Sequence, residues 1–377
     1  VIDIELTSGR VVRARVERRE THRDGAETWA GSILGEPLSS VTLVSGDGVL
    51  QGAVRTLDGA FSIEPADGGP LHVVRLVDAN ATGTELEPLL PTVEAPPVGA
   101  DEPPVAGDDG STIDVLVFYT PSARTAAGSD AAAQTRIALG VSETNTAYAN
   151  SGIAPRLRLV GAELTSYTES GSLSTDLSLF RGSGDGVMEE VHTRRDALGA
   201  DMMILVVGAT AGGACGVGYV MTSLSSTFAP FAFSVTAYTC ISPNYTFGHE
   251  LGHNMGSAHA PEDGSGQASL YAYSFGYKNP ANLFRTVMAY ECSGGCPRVL
   301  HFSNPNVSYS GATTGTLTQH DNTRSINNAA ATVANFRQAV GGGTPPTMTA
   351  ISNVTINEDS ATAPIACRRS ARRTGLF

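Results

Sequence analysis

Eleven consecutive residues concentrate the chemistry of this 377-residue chain: His249-Glu250-Leu251-Gly252-His253-Asn254-Met255-Gly256-Ser257-Ala258-His259, the pattern HExxHxxGxxH. On a helix, residues i and i+4 share a face, so His249 and His253 can present both imidazoles to one ion. Glu250 projects beside them, placed to take a proton from water at the ion's open position. Gly256 can adopt a positive φ, which ends the helix and reverses the chain. The reversal brings His259 in as a third ligand. Three neutral ligands with a fourth position left to water are the mark of a catalytic rather than a structural zinc site. Three His, one Glu and one Gly at these offsets arise by accident on the order of once in tens of thousands of such chains. The competing reading is a zinc site that has lost its activity, and the presence of Glu250 speaks against it.

The extended motif resembles that of the metzincin zinc proteases. Thr286-Val287-Met288-Ala289-Tyr290 downstream resembles their Met-turn. The resemblance implies that Met288 packs beneath the ligands without binding metal. Tyr290 is similar to the tyrosine of astacins and serralysins. It is either an additional, displaceable zinc ligand or a residue that lines the site and hydrogen-bonds the transition state. Phe284 to Tyr290, then Cys292, Cys296-Pro297-Arg298 and Phe302-Ser303-Asn304-Pro305, resemble the bacterial reprolysin-like group that includes the peptidyl-Asp metalloendopeptidases. The likeness spans about residues 113 to 338. It implies a mixed five-stranded twisted sheet with helices, a cleft with zinc at its base, and cleavage near acidic residues. It also implies that Gly216-Val217-Gly218-Tyr219 is an antiparallel sheet edge to which an extended peptide adds by main-chain hydrogen bonds; the plainer reading of that stretch is a loop. Within the same picture the expected disulfides are Cys215–Cys240 and Cys292–Cys296, the second stiffening the wall beside Tyr290. No nucleophile elbow supports a Ser–His–Asp hydrolase. A gluzincin would need a downstream Glu ligand, which His259 makes unnecessary.

The elements that must position these residues alternate between strand and helix over residues 112–340. IDVLVFYT is a fully apolar strand, PRLRLVGAEL another, and DMMILVVG a buried one. AAAQTRIALGVSETNTAYANSG carries helical spacing and stops at Gly152; GVMEEVHTRRDALG stops at Gly199. The last helix is expected in RSINNAAATVANFRQAV. This is an α/β pattern with a mostly parallel sheet. Residues 1–92 read instead as a small all-β domain, a meander or barrel, with turns at Asp47-Gly48 and Asp58-Gly59. They contain no catalytic cluster, and with Thr28-Trp29-Ala30-Gly31 they resemble the propeptides that precede such protease domains. Residues 93–111 are a Pro-, Gly- and acid-rich linker open to proteolytic nicking. Beyond a second linker at Gly341-Gly342-Gly343, TMTAISNVTINEDSATAPI resembles the opening of bacterial cadherin-like adhesive repeats, and a basic tail follows.

Composition narrows the function class. The formal charge of −13 argues against nucleic acid, which needs concentrated Lys and Arg. No apolar run approaches the ~20 residues of a membrane helix. Five cysteines, four of them able to pair and Cys367 left in the tail, suggest an oxidising compartment, with free buried thiols the alternative. The chain opens directly in a strand-like pattern, so a secreted or cell-surface location in a bacterium is inferred rather than read from a signal peptide. The leading expectation is therefore a secreted zinc-dependent endopeptidase made as a zymogen, acting on proteins or peptides and inhibited by its own propeptide. Its rival is an adhesive surface protein that uses an inactive domain of this type as a platform. No EF-hand or Gly-Asp repeat assigns calcium. Latency through a propeptide cysteine is excluded, because none precedes Cys215. A carboxylate from Asp101-Glu102 or Asp108-Asp109 could reach the metal instead, although the favoured reading is that these acids keep the linker solvated.

Overall fold

The computed structural model describes residues 1–23, 25–66, 71–77, 83–91, 108–208, 213–264, 267–281 and 283–340. The cadherin-like stretch, Cys367, Asp101 and Glu102 lie outside them.

The first seven strands form one antiparallel meander in sequence order: β1 Ile2–Glu5, β2 Val11–Thr21, β3 Glu27–Ile33, β4 Ser40–Gly46, β5 Val49–Thr56, β6 Gly59–Pro65 and β7 His72–Val77. Alternation makes this sheet, since each strand turns apolar residues such as Val12, Ala14, Val41, Leu43, Phe61 and Ile63 to one side. The β4–β5 turn uses Asp47 and Gly48, both at positive φ (49° and 77°), as a tight hairpin demands.

The second sheet is built from β8 Thr112–Tyr119, β9 Arg156–Leu164, β10 Met202–Val207, β11 Gly216–Gly218 and β12 Phe233–Ala237, in the order β11-β12-β10-β8-β9. All pairings are parallel except β11 with β12. β8 and β10 are nearly uniform apolar runs because both of their faces are covered. The helices are α1 Pro121–Ala127, α2 Asp130–Ser151, α3 Leu173–Arg181, α4 Glu189–Leu198, α5 Thr246–Asn254 and α6 Asn322–Val333. α2 and α4 end at Gly152 and Gly199, each in the left-handed region, as the sequence leads one to expect. α6 is shorter than its sequence signal. It begins at the Asp321 cap, whose carboxylate accepts from the Arg324 backbone N–H, and is over before Phe336.

α2 lies between the two sheets, with sixteen of its 22 residues buried, so it shows no clean apolar stripe. One of its sides packs under α5. On the other, Thr28 Oγ1 meets Ser142 Oγ at 2.8 Å, Gln51 Nε2 donates to the Ala132 carbonyl at 2.6 Å, and Arg18 donates to Thr146 Oγ1 at 2.7 Å. Ala26 and Val44 of the meander join the core of the second sheet. Residues 83–91, grouped by sequence with the N-terminal β segment, leave it and run along β11.

Candidate metal centre

α5 carries His249 and His253 on one face. The helix stops where Gly256 takes φ +84°, and a Cβ there would lie 2.4 Å from Leu270 Cβ, so both the turn and the space require glycine. The chain reverses and delivers His259. The three Nε2 atoms form a triangle with sides of 3.1, 3.1 and 3.0 Å. His249 Nδ1 donates to the Val287 carbonyl at 2.9 Å and His253 Nδ1 to the Ser257 carbonyl at 2.7 Å, which leaves both Nε2 lone pairs facing inward. All three imidazoles are fully buried. Burial lowers the His249 pKa to about 3, with the neighbouring His259 and Arg298 adding to it against the opposing pull of Glu85. Burial, then His259 and His249, holds His253 well below its usual value. Three neutral nitrogens converging in an apolar interior repel one another unless a cation lies between them. A triangle of this size lets a single ion bond all three at the ~2.0–2.1 Å of zinc–imidazole coordination.

Glu250 is also fully buried, and neither carboxylate oxygen has a hydrogen-bond partner among the described residues. Burial, reinforced by the Glu85 carboxylate, pushes its pKa well above the usual range. Its carboxylate lies against the backbone of β11. A Cβ on Gly216 would sit 2.5 Å from Glu250 Oε1, and one on Gly218 would sit 3.2 Å from Oε2. Met288 is buried beneath α5, its sulfur filling the place of the side chain that Gly252 lacks. The Tyr290 ring lies 4.0 Å from the His259 ring between centroids, and its buried hydroxyl has no hydrogen-bond partner among the described residues. Burial, followed by the nearby Glu87, Glu85, Glu250 and Asp263 carboxylates, raises the Tyr290 pKa and keeps the hydroxyl protonated. Both expected disulfides are formed. Cys215–Cys240 ties the start of β11 to the turn after β12, and Cys292–Cys296 closes a short loop between Tyr290 and Arg298.

The free side of β11 is occupied. Leu86 N–H donates to the Gly216 carbonyl at 2.8 Å and Leu89 N–H to the Gly218 carbonyl at 2.9 Å. Cys215 N–H reaches the Thr84 carbonyl at 2.9 Å, and Val220 N–H the Leu89 carbonyl at 3.0 Å. The pairing is parallel. From this segment Glu85 turns inward and forms a two-pronged ion pair with Arg298, Nη1 to Oε1 at 2.5 Å and Nη2 to Oε2 at 2.9 Å. Burial alone would raise the Glu85 pKa, but the Arg298 guanidinium holds it well below the carboxylate range. Glu87 lies 3.6 Å from His259 Nδ1, on the outer side of that ring. Asp108 and Asp109 are engaged elsewhere, accepting from the Ala339 and Ser111 backbone N–H groups. Sequence reasoning passed over Glu85 and gave Arg298 no role, since nothing local links two residues 213 positions apart. The other histidines are absorbed by packing: His22 on Thr28, His192 on the Gly182 carbonyl, His320 on Thr316, His72 under the Leu50 N–H and His301 against Tyr309.

Residues 109–303 match the family described as Metallo-peptidase family M12, of the reprolysin type. The chain belongs to this family. It is 34% identical over 362 residues to the peptidyl-Asp metalloendopeptidase of Stenotrophomonas maltophilia strain R551-3, spanning 89% of this chain and 83% of the relative. It is 36% identical over 319 residues to the enzyme of the same name from Xanthomonas campestris pv. campestris, spanning 83% of this chain and 73% of the relative. Among solved structures, metalloproteinase-II from Bacteroides fragilis overlaps at a TM-score of 0.41 and 11% identity, covering 69% of this chain and 80% of that one, too loose a match to bear on the fold. The M12 chain described here is thus a metalloendopeptidase, and its family segment contains the whole histidine triad, Met288 and Tyr290.

Proposed function

We propose that the chain is an exported zinc endopeptidase of the metzincin type, made latent by its own N-terminal part. The observation that carries this reading is the closed triangle of His249, His253 and His259 Nε2 atoms with Glu250 one residue along the same helix. Bound zinc would supply a Lewis acid that makes water more acidic and polarises the peptide carbonyl. Glu250, kept in a dry site, takes the proton from the attacking water and passes it to the departing amine. The protonated Tyr290 hydroxyl donates to the oxygen on which charge develops. β11 aligns the peptide, once its edge is free, by main-chain hydrogen bonds. Two disulfides support an oxidising destination. Among the described residues no helix is long and apolar enough to cross a membrane.

In this reading residues 1–92 are the propeptide, 93–111 the linker to be cut, 112–340 the catalytic domain and 341–377 a linker with an adhesin-like tail. The occupied edge of β11 supports occlusion as the means of latency, rather than a carboxylate from the linker. The names of the relatives support cleavage beside aspartate. The test is peptide hydrolysis by the chain cut in its linker, with and without chelator, for wild type and Glu250→Gln. Chelator-sensitive cleavage is expected in wild type alone, with equal zinc content in both proteins. Near-normal turnover by Glu250→Gln would sink the mechanism, and no cleavage by either would leave a binding platform. Equal activity of cut and uncut chains would refute latency.

A further inference from the structure

The Glu85–Arg298 pair is a buried ion pair that joins a residue of the segment on the β11 edge to a residue of the catalytic part. The Glu85 side chain is 1% exposed and that of Arg298 3%. Glu85 Oε1 also accepts from Thr246 Oγ1 at 2.8 Å. Thr246 opens α5 and precedes Glu250 by four residues, so it lies on the same helical face, one turn from the reacting centre. Arg298 in turn donates to the Asn244 carbonyl at 2.8 Å and to the Ala289 carbonyl, between Met288 and Tyr290, at 3.1 Å. The guanidinium is therefore fixed by the two chain segments that carry the metal ligands and the Met-turn.

We infer that Arg298 is the specificity-determining residue of this protease, the group that receives an acidic side chain of a bound peptide, and that Glu85 fills its place in the uncut chain. The inference rests on the peptidase reading above. A strand added to β11, whichever way it runs, turns every second side chain toward α5. The segment now on that edge puts a carboxylate there. When it leaves, Arg298 keeps its two carbonyl partners but has no carboxylate in ion-pair contact among the described residues. Arg285, which donates to the same Ala289 carbonyl at 2.9 Å, adds a second buried cation beside it. A buried guanidinium without a counter-charge is costly. The vacated pocket therefore selects a carboxylate over a carboxamide of the same shape, and the planar two-pronged geometry already seen with Glu85 is the one a peptide Asp or Glu would reproduce.

The experiment compares two full chains, Glu85→Gln and the double variant Glu85→Gln/Arg298→Gln, each zinc-loaded and cut in the linker. The substrates are a peptide with a single Asp and its Asn twin. In the Glu85→Gln chain, kcat/KM should favour the Asp peptide by about 100-fold or more, since a site built around a polar partner rejects the analogue that lacks it. In the double variant the ratio should collapse to within about 3-fold. A ratio that survives the loss of Arg298, or one near unity in Glu85→Gln, overturns the assignment. Absence of chelator-sensitive cleavage of either peptide by the wild-type cut chain sinks the peptidase reading and the inference with it. Removing one partner of a buried pair can prevent folding, so a second measurement uses the wild-type chain cut in its linker. A peptide spanning Gly83 to Pro91 should compete at least about 30-fold better than the same peptide with Gln at the Glu85 position. Equal competition would refute the role of the carboxylate.

Discussion

Gly216→Ala tests the site through a single distance. The methyl group would start 2.5 Å from Glu250 Oε1 and 2.7 Å from Thr246 Cγ2, against the 3.4 Å at which ordinary contact begins. Neither Thr246 nor the strand itself can give way freely. Thr246 is fixed in the first turn of α5, and β11 is held by its pairing with β12 and by the Cys215–Cys240 bridge. The carboxylate must therefore withdraw by about 1 Å. A misplacement of that size at a reacting group costs on the order of 100-fold, or about 2.7 kcal/mol of barrier. Overpacking should also lower stability by about 1–3 kcal/mol. The assay is kcat/KM on a peptide substrate after the linker has been cut, together with zinc content and melting temperature. Zinc should stay bound, because the triad is untouched. Gly218→Ala is the graded control: its methyl meets Glu250 no closer than 3.2 Å, so the loss should stay below about 10-fold. Activity of Gly216→Ala within about 3-fold of wild type, or a worse result for Gly218→Ala, would refute the placement of Glu250 against β11.

Three further outcomes follow from the same geometry. His259→Ala removes one corner of the triangle and should leave the dialysed protein without its metal; unchanged metal content would take His259 out of the ligand set. Tyr290→Phe should lower kcat by about 10- to 100-fold with KM little changed, and an equal rate would make the ring packing only. Glu143, on the buried side of α2, has its pKa pushed up to about 8 by burial, partly opposed by Ser242, Arg136 and Arg55. The folded chain thus keeps a proton that the unfolded chain releases. Its stabilising effect is complete below the usual 4.5 and is lost as pH rises toward about 8. Glu143→Gln should then match wild type in thermal melts near pH 5 and surpass it near pH 9, where identical slopes would remove Glu143 from the pH response.

Much of the centre was legible because its information is local. The i, i+4 histidines, the reversal at Gly256 and the return of His259 lie within one eleven-residue stretch, and helix geometry does the rest. Apolar runs announced β8 and β10, while Gly152 and Gly199 marked two helix ends. What stayed hidden is non-local. Residues 83–91 have no alternation of their own, and their extended course is imposed by the edge of β11. The Arg298–Glu85 pair exists only because the fold brings the two ends of a long separation together. The burial of α2 on all sides erased the stripe by which its packing could have been foreseen.

Two of the places at which the N-terminal part grips the rest of the molecule lie far apart in its sequence. One is the back of α2, held through Thr28, Gln51 and Arg18; the other is the edge of β11, held through residues 84–89. Severing the chain between residues 92 and 107 breaks a covalent tether but neither grip. While one hold persists, the other re-forms at the high effective concentration of a tethered group, commonly in the millimolar range. On the latency proposed above, nicking yields a two-piece complex whose N-terminal piece leaves slowly, so activity should rise after the cut with a lag that dilution shortens. On that reading the chain can be processed at one place and switched on at another.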